Sequence, residues 1–355
     1  MSTMYSDERT VLITGGTGFI GSYLANNLIE KHMKVILVDS NPDTRRIDGF
    51  GINSDQYIFA QCDITERDVL LDIFDLYRPH SVYHLGALLS AGAEANPTLG
   101  IRVDIIGTWN ILEAARLHLE TGRKPEPLKV LFPSTIASFG DHLPADQQPP
   151  DSKVANASVQ MPTTFYGASK VTSERLGEQY HRKQWVDFRA VRFPSVIGAA
   201  RGPGGTTVYS TLMVQQPALG NPYSVYVPGD TRLDVMYVKD AVRALTGLHD
   251  ADAAKLTTRV YNVSGIRNAN DQAPQASEIA AAVRDALGAN TPAISFDNPD
   301  DTLTKIVTSF GILNDQQAQQ DWGWQPEYKD LAKAVTDFID QVKKYPNRIK
   351  RLELY

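Results

Sequence analysis

The stretch Val11-Leu-Ile-Thr-Gly-Gly-Thr-Gly-Phe-Ile-Gly21 decides the fold of this chain. An apolar, β-branched run enters a group of glycines and then opens an amphipathic segment, which is typical of a strand, a tight turn and a helix. Glycines let the main chain approach a ligand closely, and the helix N-terminus offers free N–H donors and the positive end of a dipole. The spacing therefore predicts a turn that binds the pyrophosphate of a dinucleotide. The residues expected to contact the cofactor here are Gly15, Gly18, Phe19, Ile20 and Gly21.

Strand-like and helix-like segments alternate through the first half of the chain. The strand-like runs are 10–14, 34–39, 57–61, 81–85, 129–133 and 188–193, and the helical patterns are 19–31, 66–77, 97–119 and 164–183. Strict alternation implies right-handed crossovers and a parallel, doubly wound sheet. Continuous apolar runs such as 35–38 are typical of strands that are covered on both faces. We therefore expect an α/β fold of the Rossmann type.

The pattern changes after about residue 195 and predicts a smaller, mixed substrate lobe. It contains a glycine-rich turn at 201–205, a hairpin-like segment at 223–236 and helical runs at 207–216, 239–249, 277–287, 315–322 and 331–343. We expect a dinucleotide-binding domain at 1–195 with a return strand near 235–263, a substrate lobe at 196–234 and 264–342, and a C-terminal tail at 343–355. The long polar insert at 141–162 is interpreted as functional or as an oligomer contact.

Composition limits the class of protein. A net charge of −6 over 355 residues provides no basic stripe, which argues against nucleic acid as a constitutive partner. Cys62 is the only cysteine, so no intramolecular disulfide is possible. No apolar run approaches the roughly 18 residues needed to span a bilayer, and the first nine residues lack a signal peptide's apolar core. We therefore expect a cytoplasmic enzyme with no membrane partner.

No metal site is expected. His80 and His84 are four residues apart in a strand-like run, where a rise of about 3.3 Å per residue places them too far apart to share an ion. No other group of histidine, cysteine and acidic residues has the spacing of metal ligands.

Asp39 at the end of the second strand indicates which dinucleotide is bound. A carboxylate there accepts hydrogen bonds from the ribose hydroxyls of NAD and repels the 2′-phosphate of NADP. The alternatives are that Asp39 caps a helix, and that Arg45 and Arg46 serve a phosphate, which leaves NADP open.

Two further strand ends are expected to border the cofactor. Asp63 and Ile64 follow the third strand, where Asp63 could accept from the adenine amino group or cap the helix that follows. The small residues after the fourth strand let the cofactor pass close to the backbone; this segment is Leu85, Gly86 and Ala87.

Tyr166 and Lys170 are the candidate catalytic pair. They are four residues apart in a helical segment, so they share one face. An ammonium beside a phenol favours the phenolate, which can take the proton of an alcohol as its hydride leaves for a nicotinamide. The alternative, a solvent-facing helix pair, is less favoured because a strand ending in Ser134 and Thr135 precedes the pair and offers hydroxyls to the substrate oxygen.

The chain resembles the extended short-chain dehydrogenase/reductase family. The motifs that carry the resemblance are TGGTGFIG at 14–21, HLGA at 84–87, GTWNILEAA at 107–115, STIASFG at 134–140, YGASK at 166–170 and RFPSVIG at 192–198. The resemblance implies a catalytic set of Thr135, Tyr166 and Lys170, with Pro133, Tyr166, Lys170 and Phe193 at the cofactor. The family usually carries an asparagine three residues before the Gly-Thr of the fourth helix, where this chain has Asp104.

Within that family the chain is similar to the L-threonine 3-dehydrogenases. The similar segments are 88–91, 133–136, 192–194, 205–209 and 236–241. The resemblance implies that Ser90 and Thr206 hold the carboxylate or amine of an amino acid, and that hydride passes from C3 of L-threonine to NAD to give 2-amino-3-oxobutanoate. Val208 stands where the subgroup tends to have an acidic residue.

Two alternative functions are considered. Gly229-Asp-Thr-Arg232 is similar to the segment by which sugar-nucleotide epimerases hold a diphosphate through an arginine, and it could equally be a surface turn. A dinucleotide sensor without catalysis would not need the Tyr166–Lys170 pair. The family's long helices often form a dimer contact, so we expect a homodimer through 97–119 and 164–183.

Overall fold

The computed structural model describes residues 10–121, 126–140 and 153–349. Its centre is a parallel sheet of seven strands in the order β3-β2-β1-β4-β5-β7-β11. These strands are β1 (Thr10–Thr14), β2 (Lys34–Asp39), β3 (Tyr57–Gln61), β4 (Ser81–His84), β5 (Lys129–Thr135), β7 (Asp187–Phe193) and β11 (Val260–Asn262). The chain order reverses between β1 and β4, and in doubly wound sheets ligands bind at the strands' carboxyl ends beside such a reversal. The expected doubly wound α/β fold is confirmed.

The helices connect and cover the strands. They are α1 (Phe19–Glu30), α2 (Arg45–Asp48), α3 (Arg67–Tyr77), α4 (Ser90–Ala95), α5 (Pro97–Gly100), α6 (Thr108–Glu120), α7 (Phe165–Arg182), α8 (Tyr209–Ala218), α9 (Val238–Asp250), α10 (Ala276–Leu287), α11 (Asp301–Ser309), α12 (Gln316–Trp322) and α13 (Leu331–Lys344). A π-helix, Ile101–Gly107, joins α5 to α6. The helix predicted at 97–119 is therefore three consecutive pieces, and π-turns of this kind are frequent at functional sites.

The core lies on both faces of the sheet. Alternate side chains of one strand belong to different apolar clusters: Leu12 packs with Ile36 and Val82 on one face, and Val11 and Ile13 pack on the other. This alternation follows from the two-residue period of a strand. It explains why the strands are apolar along their whole length.

The hairpin predicted at 223–236 does not form. The remaining strands are β6 (Lys153–Val154), β8 (Ser195–Ile197), β9 (Tyr223–Ser224), β10 (Val235–Tyr237), β12 (Ile294–Ser295) and β13 (Ile312–Leu313). β9 pairs in parallel with β12, and β10 pairs in parallel with β8. Val225 and Val227 between them are fully buried, so the alternating pattern reflects burial in the core and not pairing with the next segment.

The described end of the chain packs against its beginning. Arg348 is buried, donates hydrogen bonds to the Arg46 carbonyl at 2.8 Å and to the Ser22 hydroxyl at 3.2 Å, and lies 3.5 Å from the ring centroid of Phe50. The described part of the predicted tail at 343–355 thus packs against α1, α2 and the residues just after α2. Residues 141–152 of the polar insert lie outside the described residues.

Within residues 10–121, 126–140 and 153–349, every helix is too short or too polar to cross a bilayer.

Candidate active site

The main chains after β1 and β4 meet at the glycine-rich turn. Gly15 has a φ of +64°, which favours glycine, and a Cβ there would lie 2.7 Å from the nitrogen of Gly86 and 2.8 Å from the carbonyl carbon of Leu85. A Cβ at Gly21 would overlap the carbonyl oxygen of Gly15. The glycines are therefore required for the close packing of this turn.

The N-terminus of α1 is open to an anion. Its N-cap residue, Gly18, has no side chain to cap the helix, and the described residues offer no acceptor to the N–H groups of Phe19 and Ile20. Free N–H groups and the helix dipole favour negative charge at this place. The turn accordingly fits the pyrophosphate of a dinucleotide.

Asp39 lies beside this turn with its carboxylate oriented by two backbone donors. The N–H of Thr17 donates to it at 3.1 Å and the N–H of Asn41 at 3.0 Å. Arg46 donates to the carbonyl of Ala200 at 3.0 Å, so its guanidinium links α2 to the loop that follows β8. The geometry places an acidic acceptor at the end of β2, where the ribose of NAD is expected.

The other predicted cofactor contacts lie at neighbouring strand ends. Asp63 is exposed and accepts a hydrogen bond from the N–H of Thr65 at 2.9 Å, as a turn-capping residue does. Ile64 is buried and would be in contact with any Cβ at Gly107. Gly86 donates to the hydroxyl of Thr14 at 3.1 Å, which holds the segment of Leu85, Gly86 and Ala87 against β1.

The first turn of α7 is docked on the end of β5. Thr164 caps the helix by accepting from the N–H of Gly167 at 3.0 Å, and a Cβ at Gly167 would overlap the carbonyl oxygen of Ala137. Ala137 in turn donates its N–H to the Thr135 hydroxyl at 3.2 Å. The predicted catalytic residues Tyr166 and Thr135 are thereby carried by two elements in direct contact.

Lys170 is buried and held at the same strand end. Its ammonium donates to the carbonyl of Pro133 at 3.0 Å and lies 4.4 Å from the ring centroid of Phe132 and 5.6 Å from that of Tyr166. Burial lowers the pKa of Lys170, whereas the carboxylates of Asp104 and Glu174 act in the opposite direction.

The expected depression of the Tyr166 pKa is corrected by the structure. Burial raises the pKa of the Tyr166 phenol, the carboxylate of Asp104 raises it further, and the guanidinium of Arg201 lowers it. The Lys170 ammonium is bonded to a backbone carbonyl and lies 5.6 Å from the centroid of the Tyr166 ring. A cationic ring bound beside the phenol would favour the phenolate.

Asp104 is buried in the π-helix and accepts hydrogen bonds from several neighbours, including the Thr108 hydroxyl at 2.7 Å from its carbonyl. Its carboxylate accepts from the N–H of Leu88 at 2.7 Å and from the hydroxyl of Ser169 at 3.2 Å, and its carbonyl accepts from the hydroxyl of Ser173 at 2.9 Å. Burial raises the pKa of Asp104, and Lys170 lowers it. Asp104 therefore ties the fourth strand's loop to the helix that carries Tyr166.

Two of the predicted substrate-binding residues have their polar atoms engaged elsewhere. Ser134 is buried and donates to the carboxylate of Glu174 at 2.5 Å, on the side where Glu174 forms a buried ion pair of 2.7 Å with Arg192. Arg232 donates to the carbonyl of Ala273 at 2.7 Å and lies 3.6 Å from Glu278. Both residues therefore have partners within the protein, and their contact with a substrate stays a prediction.

The other predicted residues remain close to the site. Ser90 begins α4, and its hydroxyl lies 3.8 Å from the point that a Cβ on Gly205 would occupy. Thr206 presents its carbonyl to the hydroxyl of Tyr226 at 3.0 Å. Phe193, at the end of β7, is paired in register with Thr135.

Two site residues were missed by sequence reasoning. His84 lies buried between the hydroxyls of Thr14 (2.7 Å) and Thr108 (2.9 Å), and burial, reinforced by Lys170, lowers its pKa to about 3, so its imidazole is neutral. Arg201 lies in the second glycine-rich turn, at 201–205 after β8, and interacts electrostatically with Tyr166. The only signal for Arg201 was a single cation among glycines and prolines.

The described residues contain no group of three or more histidine, cysteine or acidic side chains that could hold a metal ion.

The chain belongs to the NAD dependent epimerase/dehydratase family, whose model matches residues 11–264. It is accordingly an NAD-dependent oxidoreductase of the extended short-chain dehydrogenase/reductase type. It is 32% identical over 345 residues to the mitochondrial L-threonine 3-dehydrogenase of Bos taurus, covering 96% of this chain and 84% of that protein.

Solved structures of similar proteins agree with this assignment. A GalE-like L-threonine dehydrogenase from Cupriavidus necator, in its holo form, is 31% identical with a TM-score of 0.77, covering 93% of this chain and 99% of that one. The L-threonine dehydrogenase of Clostridium difficile is 28% identical with a TM-score of 0.80, covering 95% and 99% of the two chains.

Proposed function

We propose that this protein oxidises the C3 hydroxyl of L-threonine with NAD to give 2-amino-3-oxobutanoate. The observation that carries the proposal is the docking of the Tyr166 turn on the strand end that bears Thr135, within a chain similar over almost its whole length to L-threonine 3-dehydrogenases. The proposal requires that the phenol of Tyr166 and the hydroxyl of Thr135 reach the same secondary alcohol.

The roles of the residues follow from their positions. NAD, when bound, would supply the acceptor for the hydride of C3, and the residues that would hold it are Gly15, Gly18, Phe19, Ile20, Gly21, Asp39, Asp63, Ile64, Leu85, Gly86, Ala87, Pro133, Tyr166, Lys170 and Phe193. Tyr166 takes the proton of the C3 hydroxyl, and Thr135 orients that hydroxyl by a hydrogen bond. The C3–H and O–H bonds break, a C=O bond forms, and the products are the ketone, NADH and a proton.

Lys170 acts on this step through position and charge. Its ammonium is anchored on the Pro133 carbonyl beneath the ring of Tyr166 and supplies positive charge as the phenol ionises. Its burial makes that charge less screened than it would be in water. Ser90 and Thr206 border the space in which the rest of the substrate would lie.

The proposal is tested by NADH formation at 340 nm with purified protein, NAD and a panel of alcohols. We expect L-threonine to be oxidised and 3-hydroxybutanoate and UDP-glucose not to be. Interconversion of UDP-sugars without accumulation of NADH would contradict the proposal and favour an epimerase. The engagement of Arg232 with Ala273 and Glu278 supports the dehydrogenase over that alternative.

A further inference from the structure

Arg201 is held at the site by a strained turn. It follows Ala200, whose φ of +70° lies in the left-handed region that a residue with a Cβ seldom adopts. Two bonds fix this conformation: Ala200 donates its N–H to the side chain of Gln215 at 3.0 Å and accepts from Arg46 at 3.0 Å. The backbone that presents Arg201 is therefore fixed from both sides.

The guanidinium of Arg201 has neutral partners alone among the described residues. Its Nη1 donates to the carbonyl of Val196 at 2.7 Å, with the hydroxyls of Ser195 and Thr211 at 3.5 Å. The ionisable groups that interact with it are the phenols of Tyr226 and Tyr166. Within residues 10–121, 126–140 and 153–349, Arg201 forms no ion pair with a carboxylate. Burial lowers its pKa to about 10, so it is a cation at neutral pH.

An open space lies beside Nη2 of Arg201, the guanidinium nitrogen that does not take part in the bonds above. Nη2 lies 3.4 Å from the point that a Cβ on Gly205 would occupy, and the hydroxyl of Ser90 lies 3.8 Å from the same point. The bare glycine, with a φ of +90°, leaves that space open between a guanidinium and a hydroxyl. Val208, in the same turn, is apolar and buried, so it supplies no charge to neutralise Arg201.

We propose that Arg201 binds the carboxylate of the substrate, with the Ser90 hydroxyl on the other side of the gap at Gly205. The inference rests on the proposed function and assigns the anion subsite of the same pocket. A partly buried cation without a counter-charge among the described residues is costly, and a carboxylate that accepts two parallel N–H bonds from the planar guanidinium offsets that cost. Arg201 also interacts electrostatically with Tyr166, so an anion held there lies in the same region of the site as the phenol.

The test compares L-threonine with L-threoninamide, which keeps the hydroxyl and the amine but carries no carboxylate. Arg201→Gln is expected to lower kcat/KM for L-threonine by about 100-fold, mainly through KM, because a charge-assisted pair is lost. Its kcat/KM for the amide is expected to change only a few-fold, so the preference for the acid disappears. Arg201→Lys should fall between the two, and Arg284→Gln, an exposed arginine on α10, is the matched control.

Two results would overturn the inference. An unchanged KM for L-threonine in Arg201→Gln would show that the guanidinium does not meet the substrate. An equal loss on the acid and the amide, with NAD affinity retained, would assign Arg201 a role in positioning Tyr166 only.

A binding experiment separates this inference from the proposed function. If the wild-type protein does not oxidise L-threonine, the proposed substrate fails, and the subsite is then probed by titrating the NADH complex with butanoate and with butanamide. Binding of butanoate to wild type that is lost in Arg201→Gln supports a carboxylate subsite. Equal binding of butanoate to wild type and to Arg201→Gln would overturn the carboxylate subsite. A substitution that weakens the binding of UDP-glucose but not of butanoate would also overturn it.

Discussion

The backbone N–H of Leu88 donates a hydrogen bond of 2.7 Å to the buried carboxylate of Asp104. This bond fixes the carboxyl group within the π-helix, between the loop after β4 and the helix of Tyr166. The same carboxylate raises the pKa of Tyr166 and that of Lys170. The residue that departs from the family's usual asparagine is thus coupled to both members of the proposed catalytic pair.

Asp104→Asn should shift the pH dependence of kcat/KM to lower pH. Removal of a negative charge makes the phenol of Tyr166 easier to ionise, and oxidation of an alcohol requires the ionised form. The asparagine oxygen can still accept from Leu88, so the fold should be kept. Initial rates at saturating NAD across pH 6 to about 10 measure the shift; a profile that moves to higher pH would contradict the coupling.

Tyr166→Phe should lower kcat by about 10²–10⁴-fold, because the proton acceptor is removed while the ring is kept. The affinity for NADH, measured by the change in its fluorescence on binding, should stay unchanged. Tyr180→Phe is the matched control, since Tyr180 lies on the same helix and donates its hydroxyl to Glu113 instead. Retained turnover in Tyr166→Phe would remove Tyr166 from the proposed mechanism.

Asp39→Asn should raise the use of NADP relative to NAD by roughly tenfold, equal to about 1.4 kcal/mol. The carboxylate repels a 2′-phosphate, and the neutral amide does not. The comparison is the ratio of kcat/KM for the two cofactors. Asp43→Asn, which affects an acid paired with Arg45, serves as the control; an unchanged ratio in Asp39→Asn would place the ribose elsewhere.

Glu174→Gln should lower the free energy of unfolding by about 3–5 kcal/mol, because it leaves the buried Arg192 without its counter-charge. Urea unfolding measures this loss. Glu120→Gln, at an ion pair whose carboxylate is largely exposed, should change it by less than about 1 kcal/mol. Equal effects of the two substitutions would contradict a special role for the buried pair.

The same pair makes stability depend on pH. Burial opposes ionisation of Glu174, but Arg192 and Ser134 outweigh it and hold the pKa of that carboxyl below its ordinary value. A depressed pKa in the folded state contributes stability above the unfolded value of about 4.3, and this contribution is lost as the pH falls. The difference between wild type and Glu174→Gln should therefore shrink in urea titrations carried out below pH 4.3.

The protein should form a homodimer through the helical surface at 97–119. Ile101, Ile106 and Trp109 are exposed there, while Leu112 on the same run is buried. Light scattering after size exclusion should give twice the chain mass, and Ile106→Lys should give the monomer. A wild-type monomer would contradict this prediction.

Local patterns allowed the sheet to be predicted, and non-local contacts limited the rest. Strands such as β1 and β2 are apolar along their length, so their bounds follow from the sequence. β9 could not be paired correctly, because its partner β12 lies about 70 residues away. The hydroxyl of Ser134 could be placed at a strand end, but its direction towards Glu174 depends on a helix packed in three dimensions. Arg201 is informative only once the structure shows that its neighbours within the described ranges include no carboxylate.

Transfer of deuterium from L-threonine labelled at C3 tests the central claim most directly. The purified protein is incubated with NAD and L-[3-²H]threonine, and the reduced cofactor is analysed by mass spectrometry. The account predicts NADH that carries the deuterium, with a slower rate than for the unlabelled substrate. Reduced cofactor without deuterium, or no reduced cofactor at all, would contradict hydride transfer from C3.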